Sequence, residues 1–137
     1  MSRLTDKAMA LRSDPALHCN CAQTILRAFA EDLHLDEEMM NRLGSNFGGG
    51  MKMGGTCGAI TSGAMILGLF GMDNPRILNG FYQKIRDSHD GLTDCAALLQ
   101  RNMEKGGQKK PHCDAMICES IAYIEEILQE QGLRKEE

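Results

Sequence analysis

The sequence predicts an all-α fold, a compact bundle of six or seven helices with a glycine-rich loop ahead of a buried central helix. Three observations carry this expectation. Apolar residues recur at helical spacing in one segment after another, and no stretch alternates with period two for long enough to make a strand. Good capping residues and breakers separate the segments. Five glycines fall within Gly48–Gly55, and they lead into a run from Cys57 to Phe70 that is apolar on nearly all sides. Such a helix sits in the middle of a bundle, where small residues let its neighbours approach closely.

The elements follow in order. Ser2 to Ser13 is a short amphipathic segment with Leu4, Ala8 and Leu11 on one side, broken by Asp14-Pro15. Asn20 caps a second helix, in which Ala22, Ile25, Leu26, Phe29 and Leu33 recur at helical spacing. Asp36 caps a third, with Glu37 and Glu38 in its first turn, where the helix dipole favours them, and Met40, Leu43 and Phe47 as its apolar face. The segment Gly48-Gly49-Gly50-Met51-Lys52-Met53-Gly54-Gly55 excludes stable helix and strand alike. Thr56 is the expected cap of the central helix. Asp73-Asn74-Pro75 stops that helix and starts the next, whose inward residues are Ile77, Leu78, Phe81, Tyr82 and Ile85. His89-Asp90-Gly91 is a turn. Thr93 or Asp94 caps a helix running to about Met103, with Leu98 and Leu99 inward. After a polar connector from Glu104 to Lys110, Pro111 is expected to open a last helix. Ile117, Ile121, Ile124 and Leu128 line it, and Gly132 ends it. Residues 1–137 read as one domain, with 1–17 holding a short N-terminal helix, and there is no internal repeat.

Composition narrows the function. A chain of 137 residues can bury a core without disulfide staples. Its formal charge of −4 argues against nucleic acid, which requires a basic face. Met53 to Met72 carries no charge over twenty residues, but six glycines and three hydroxyl residues make it too weakly hydrophobic for a membrane span. The first residues lack the apolar run of a secretory signal, so a cytoplasmic location is expected. Thiols there are kept reduced, so six cysteines point to metal or redox chemistry before structural disulfides.

The cysteines are Cys19, Cys21, Cys57, Cys95, Cys113 and Cys118. No C-x-x-C, haem-attachment or zinc-ribbon spacing occurs among them. Their positions on the helices say more. Cys21 follows the cap Asn20, Cys57 follows Thr56, Cys95 follows Asp94, and Cys113 sits two residues after Pro111. Four cysteines thus fall in the expected first turns of four helices. There the free N–H groups and the dipole lower a thiol's pKa. In an antiparallel bundle these four can share one end. Cys118 lies five residues after Cys113, about 140° round the helix, and is read as partly buried filler. Cys19, just outside its helix, is read as an accessory or resolving thiol.

The bland readings stand beside these. Free cysteine often serves as a small buried hydrophobe, and the ten methionines read as core filler. His18 and His112 each precede a cysteine. Metal ligation is open to that repeated pair, but each reads more simply as an exposed loop residue. His34 and His89 read as helix-end histidines at the negative end of the dipole. The glycine run could present N–H groups to an anion. It does not fit a phosphate-loop motif, because Met53 follows Lys52 and no strand precedes it. The alternative places Gly48, Gly49, Gly50 and Gly55 as close packing around Cys57 and whatever it binds.

With these residues in view, the chain resembles the family named for its cysteine pattern, C_GCAxxG_C_C. The matching stretches are Asn20-Cys21-Ala22-Gln23, Phe47-Gly48-Gly49-Gly50-Met51, Cys57-Gly58-Ala59 through Gly63 and Gly68, Asp94-Cys95, and Cys113 with the closing helix. They extend from about His18 to Gly132. The central box reads Thr56-Cys57-Gly58-Ala59-Ile60-Thr61-Ser62-Gly63 rather than a literal Gly-Cys-Ala-x-x-Gly. The resemblance carries the family's four cysteines onto Cys21, Cys57, Cys95 and Cys113, the same four that begin helices. It implies redox activity, with a suggestion of cluster binding.

Three functions remain open. The first is electron transfer or redox sensing through four clustered thiolates that hold an iron–sulfur cluster or zinc. It includes a homodimer sharing ligands and a redox partner that the sequence does not name. The second is metal-free thiol–disulfide chemistry, with Cys21 paired to Cys19 or Cys113. The third is a non-catalytic helical interaction module with buried cysteines. No serine, histidine and carboxylate arrangement suggests hydrolysis, and no transferase signature is present.

Overall fold

A computed structural model describes residues 2–133. Among them are seven α-helices: α1 (Arg3–Ser13), α2 (Cys21–Phe29), α3 (Glu37–Gly44), α4 (Gly58–Leu69), α5 (Pro75–Ser88), α6 (Cys95–Glu104) and α7 (Lys109–Glu130). The sole β-type pairing among the described residues is an isolated bridge between Thr56 and Asp94. The expected all-α architecture is what the chain adopts.

Two helices organise it. α2 packs against α1, α3, α4 and α7, and α7 packs against α1, α2, α4, α5 and α6. Their amphipathic faces supply Ile25, Leu26 and Phe29 from α2, and Ile117, Ile121, Ile124 and Leu128 from α7, all in one buried cluster. Leu4 and Ala8 of α1, Ile60, Ile66 and Leu67 of α4, and Phe81 and Ile85 of α5 complete it. α4 is the central helix, and its small residues set how closely its neighbours approach. A Cβ on Gly63 would lie 2.5 Å from Phe81 Cζ and 3.0 Å from Ser120 Oγ. At the same crossing Ser120 Oγ donates to the Ala59 carbonyl at 2.8 Å, and Ser62 Oγ donates to the Gly58 carbonyl at 2.6 Å. These bonds satisfy hydroxyls that would otherwise be costly to bury.

The caps fall largely where the residues call for them. Asn20 forms a reciprocal capping box with Gln23, and Asp36 accepts from the Met39 N–H. Asn74 accepts from Arg76 and Ile77, with Pro75 at the first helical position. Four expectations need correction. Cys57, not Thr56, is the N-cap of α4, because Thr56 is held extended by its bridge to Asp94. α7 begins at Lys109, before Pro111, since a proline within the first turn loses no intrahelical hydrogen bond. α3 ends at Gly44, where a Cβ would press on the Gln23 backbone at 2.9 Å, so Phe47 lies beyond it. Leu43 is exposed rather than inward, and Met40 and Gly44 make the buried face. α4 is only 12 residues long, and no described helix is long and apolar enough to cross a membrane.

The glycine segment does more than break a helix. Gly49, Gly50, Met51 and Lys52 all have φ between 58° and 63°, a left-handed turn closed by a Gly55 N–H to Gly50 carbonyl bond of 2.9 Å. Left-handed backbone is costly for residues with a Cβ, and Met51 and Lys52 adopt it within this turn. The turn delivers the chain to α4 and α6 together. Cys57 N–H donates to the Thr93 carbonyl at 2.9 Å, and Cys95 N–H donates to the Gly55 carbonyl at 2.6 Å.

Candidate functional site: a cavity lined by four cysteines

The helices bring Cys21, Cys57, Cys95 and Cys113 to the wall of one cavity of about 310 Å³. Cys21 opens α2, fixed by the Asn20 capping box. Asn20 is itself tied to the Gly44 carbonyl through Nδ2 at 3.1 Å. Cys57 is the N-cap of α4, and Cys95 opens α6. Cys113 lies a full turn inside α7, not at its start, because that helix begins at Lys109. All six cysteines are free thiols, with Cys19 and Cys57 buried and the others half-buried.

Glycine lets the backbones meet here. A Cβ on Gly58 would fall 2.7 Å from the Phe47 carbonyl and 3.5 Å from Cys21 Cβ. A Cβ on Gly48 would fall 2.6 Å from the Asn20 side chain. A Cβ on Gly50 would run into the Gly55 backbone. Gly49 reaches the cavity wall, whereas Gly48, Gly50 and Gly55 act by packing and, at Gly55, by a carbonyl that accepts from the Cys95 N–H.

The four thiols differ in ionisation. The strongest influence on the ionisation of Cys21 and of Cys113 is the other of the two. A Cys21 thiol that donates to a Cys113 thiolate stabilises it. Arg12 and Lys109 add to that effect, and Cys113 is drawn down to about 6 against the opposing effect of burial. The same bond holds the Cys21 proton in place. With burial and the nearby Cys113 and Cys57 charges, it pushes Cys21 well above the ordinary thiol range. Burial lifts Cys57 to about 11, although the Ala59 and Ile60 N–H groups of the helix start pull the other way. Burial also raises Cys95. The expectation that a helix start lowers each thiol's pKa is therefore corrected. Desolvation outweighs the dipole at Cys57 and Cys95, and the one depressed thiol is the one furthest into its helix.

Charged groups frame Cys113. Arg12 Nε donates to Asp114 Oδ1 at 2.7 Å, and its Nη1 donates to the Cys19 carbonyl at 2.7 Å. Lys110 Nζ lies 3.1 Å from Asp114 Oδ2. Arg12 is about a hundred residues from Cys113, and nothing in the sequence marked it or Lys109 as site residues. His112 is also corrected. It is a half-buried helical residue at the cavity wall, not an exposed loop residue, and burial lowers its pKa. His18 is exposed as expected. His89, the C-cap of α5, bonds to Glu119 Oε2 at 2.8 Å. Cys118 lies away from the cavity, among Ser2, Thr5 and Glu125. Cys19 is absent from the cavity wall, and its sulfur accepts from Arg27 Nη1 at 3.5 Å.

Four thiols are suitable in kind for a metal. Among the described residues, however, no three His, Cys, Asp or Glu side chains converge closely enough to hold a metal ion.

The family described as "Putative redox-active protein (C_GCAxxG_C_C)" matches residues 19–127. The chain belongs to this family. Neither the curated proteins nor the solved structures give a match to it. The C_GCAxxG_C_C match begins at Cys19 and ends inside α7, so it takes in all four cavity cysteines and leaves Arg12 outside.

Proposed function

We propose that this C_GCAxxG_C_C protein carries out thiol–disulfide exchange with Cys113 as the attacking thiolate and Cys21 as the resolving thiol. The placement of Cys21 and Cys113 on one cavity wall, with their two ionisations driven apart, is the observation that carries this reading. A thiolate present at neutral pH beside a protonated thiol is the ground state such chemistry requires. The Cys113 thiolate attacks one sulfur of an oxidised partner's disulfide. That S–S bond breaks, the partner's other sulfur leaves as a thiolate, and a mixed disulfide forms. Cys113 has then lost its negative charge, so the main influence raising Cys21 is gone. Cys21 gives its proton to the departed thiolate and attacks Cys113 Sγ. The products are a Cys21–Cys113 disulfide and the reduced partner.

The test uses a chromogenic aromatic disulfide. The native protein should release two coloured thiols per chain from this pair. Cys21→Ser should stop after one, leaving the adduct on Cys113, and Cys113→Ser should lose the fast phase. Equal fast phases in the native protein and Cys113→Ser would overturn the assignment.

The presence of four sulfurs on one cavity favours a second reading, a polynuclear iron–sulfur cluster held by Cys21, Cys57, Cys95 and Cys113. Anaerobic reconstitution with iron and sulfide tests it. A stoichiometric chromophore lost in Cys57→Ser and Cys95→Ser supports the cluster, and a colourless product rejects it.

A further inference from the structure

The cavity's charge points to its substrate. Arg12, Lys109, Lys110 and His112 line it together with the four cysteines, and no aspartate or glutamate among the described residues does. This occurs in a chain of net charge −4. Asp114 pairs with Arg12 and Lys110, while Lys109 makes no ion pair among the described residues. The rest of the wall is Asn20, Gly49, Gly58 and Leu98 with the sulfurs. At about 310 Å³ the space is at the small end of ligand pockets and suits a small molecule rather than a folded protein's surface.

We infer that the oxidised partner is a low-molecular-weight disulfide bearing carboxylates, drawn to Cys113 by Lys109 and Arg12. This inference rests on the thiol–disulfide reading and adds the substrate class to it. In the reaction the Cys113 thiolate displaces one half of the small disulfide as a thiolate. The other half stays bonded to Cys113 Sγ until Cys21 releases it. The Cys113 thiolate and the Cys21 thiol are oxidised to a disulfide, and the small disulfide is reduced to one thiol, which carries the Cys21 proton, and one thiolate. The carboxylate of the bonded half stays in the cavity until Cys21 releases it, and the cationic wall screens its charge from that of the attacking sulfur.

The experiment compares dithiodiglycolate, which is dianionic, with cystamine, which is dicationic, as oxidants of the reduced full chain. Each rate is divided by that of the same disulfide with β-mercaptoethanol, which cancels intrinsic leaving-group reactivity. The normalised anionic rate should exceed the cationic one by about tenfold at low salt, in the range typical of charge-steered encounter. The preference should shrink as salt rises from roughly 0.01 M to 1 M and the screening length falls from about 30 Å to about 3 Å. It should shrink likewise in Lys109→Gln, a change at an exposed first-turn residue. Equal normalised rates, or a faster cationic reagent, would overturn the inference. Diamide, an uncharged thiol oxidant, separates this failure from a deeper one. A Cys21–Cys113 disulfide formed by diamide without charge preference removes only the substrate class. No disulfide with any of the three reagents removes the thiol–disulfide reading and this inference with it.

Discussion

Replacing Cys21 with alanine removes the largest influence holding Cys113 at about 6. What remains is burial and Asp114, which raise the thiol, and Arg12 and Lys109, which lower it. The ionisation should climb toward that of an ordinary thiol. At pH 7 a thiol with a pKa of about 6 is roughly nine-tenths thiolate, and one near 9 is about one-hundredth thiolate. The rate of alkylation does not follow that ratio. A more basic thiolate is intrinsically more nucleophilic, with a slope of about 0.4–0.5 per unit. A full shift would therefore slow alkylation at pH 7 only about fourfold. The pH profile is the better assay because its midpoint carries the whole shift. Peptide-resolved iodoacetamide labelling from pH 5 to pH 10 should give a Cys113 midpoint of about 6 in the native protein. The midpoint should lie above about 7.5 in Cys21→Ala, with a higher plateau. A midpoint still within about half a unit of 6 in the variant would refute the claim that Cys21 sets the Cys113 ionisation.

Arg12→Gln should move the same midpoint upward by less, because the Arg12 charge acts after the Cys21 bond and against burial; a shift exceeding that of Cys21→Ala would contradict the order of causes. Cys57 is raised to about 11, above its unfolded value, so its contribution to stability is complete below the unfolded pKa and is lost as pH rises through about 11. Urea titrations should show a Cys57 share of roughly 1.4 kcal/mol lost per pH unit between about 9 and 11, and Cys57→Ala should flatten the curve by that share. Gly63→Ala should cost about 1–3 kcal/mol in urea unfolding, since its Cβ meets the fully buried Phe81 ring; an unchanged midpoint would mean that α5 can yield there.

Much of the fold was legible because local chemistry and burial agree in this chain. Asn20, Asp36 and Asn74 cap where their side chains suit capping, and the isoleucines of α7 sit inward at the spacing their pattern sets. The convergence of Cys21, Cys57 and Cys95 was legible too, since helices that start at one end of a bundle bring their first residues together, and Cys113 joins them from one turn inside α7. The order of reactivity was not. Helix position suggested that all four would be acidic thiols, but burial sets Cys57 and Cys95, and the mutual influence of Cys21 and Cys113 sets those two. Neither burial nor that pairing can be read from spacing. Arg12 was hidden for the same reason, because α1 places it beside α7 through packing that its own segment does not announce. The glycine density marked an irregular loop, but not that Met51 and Lys52 would share its left-handed turn.

The most direct test is a peptide map of the first disulfide formed when the reduced protein receives one equivalent of a two-electron thiol oxidant. The first bond should join Cys21 and Cys113, with Cys57 and Cys95 still alkylatable after unfolding. A first bond between Cys57 and Cys95, or one involving Cys19 or Cys118, would contradict it.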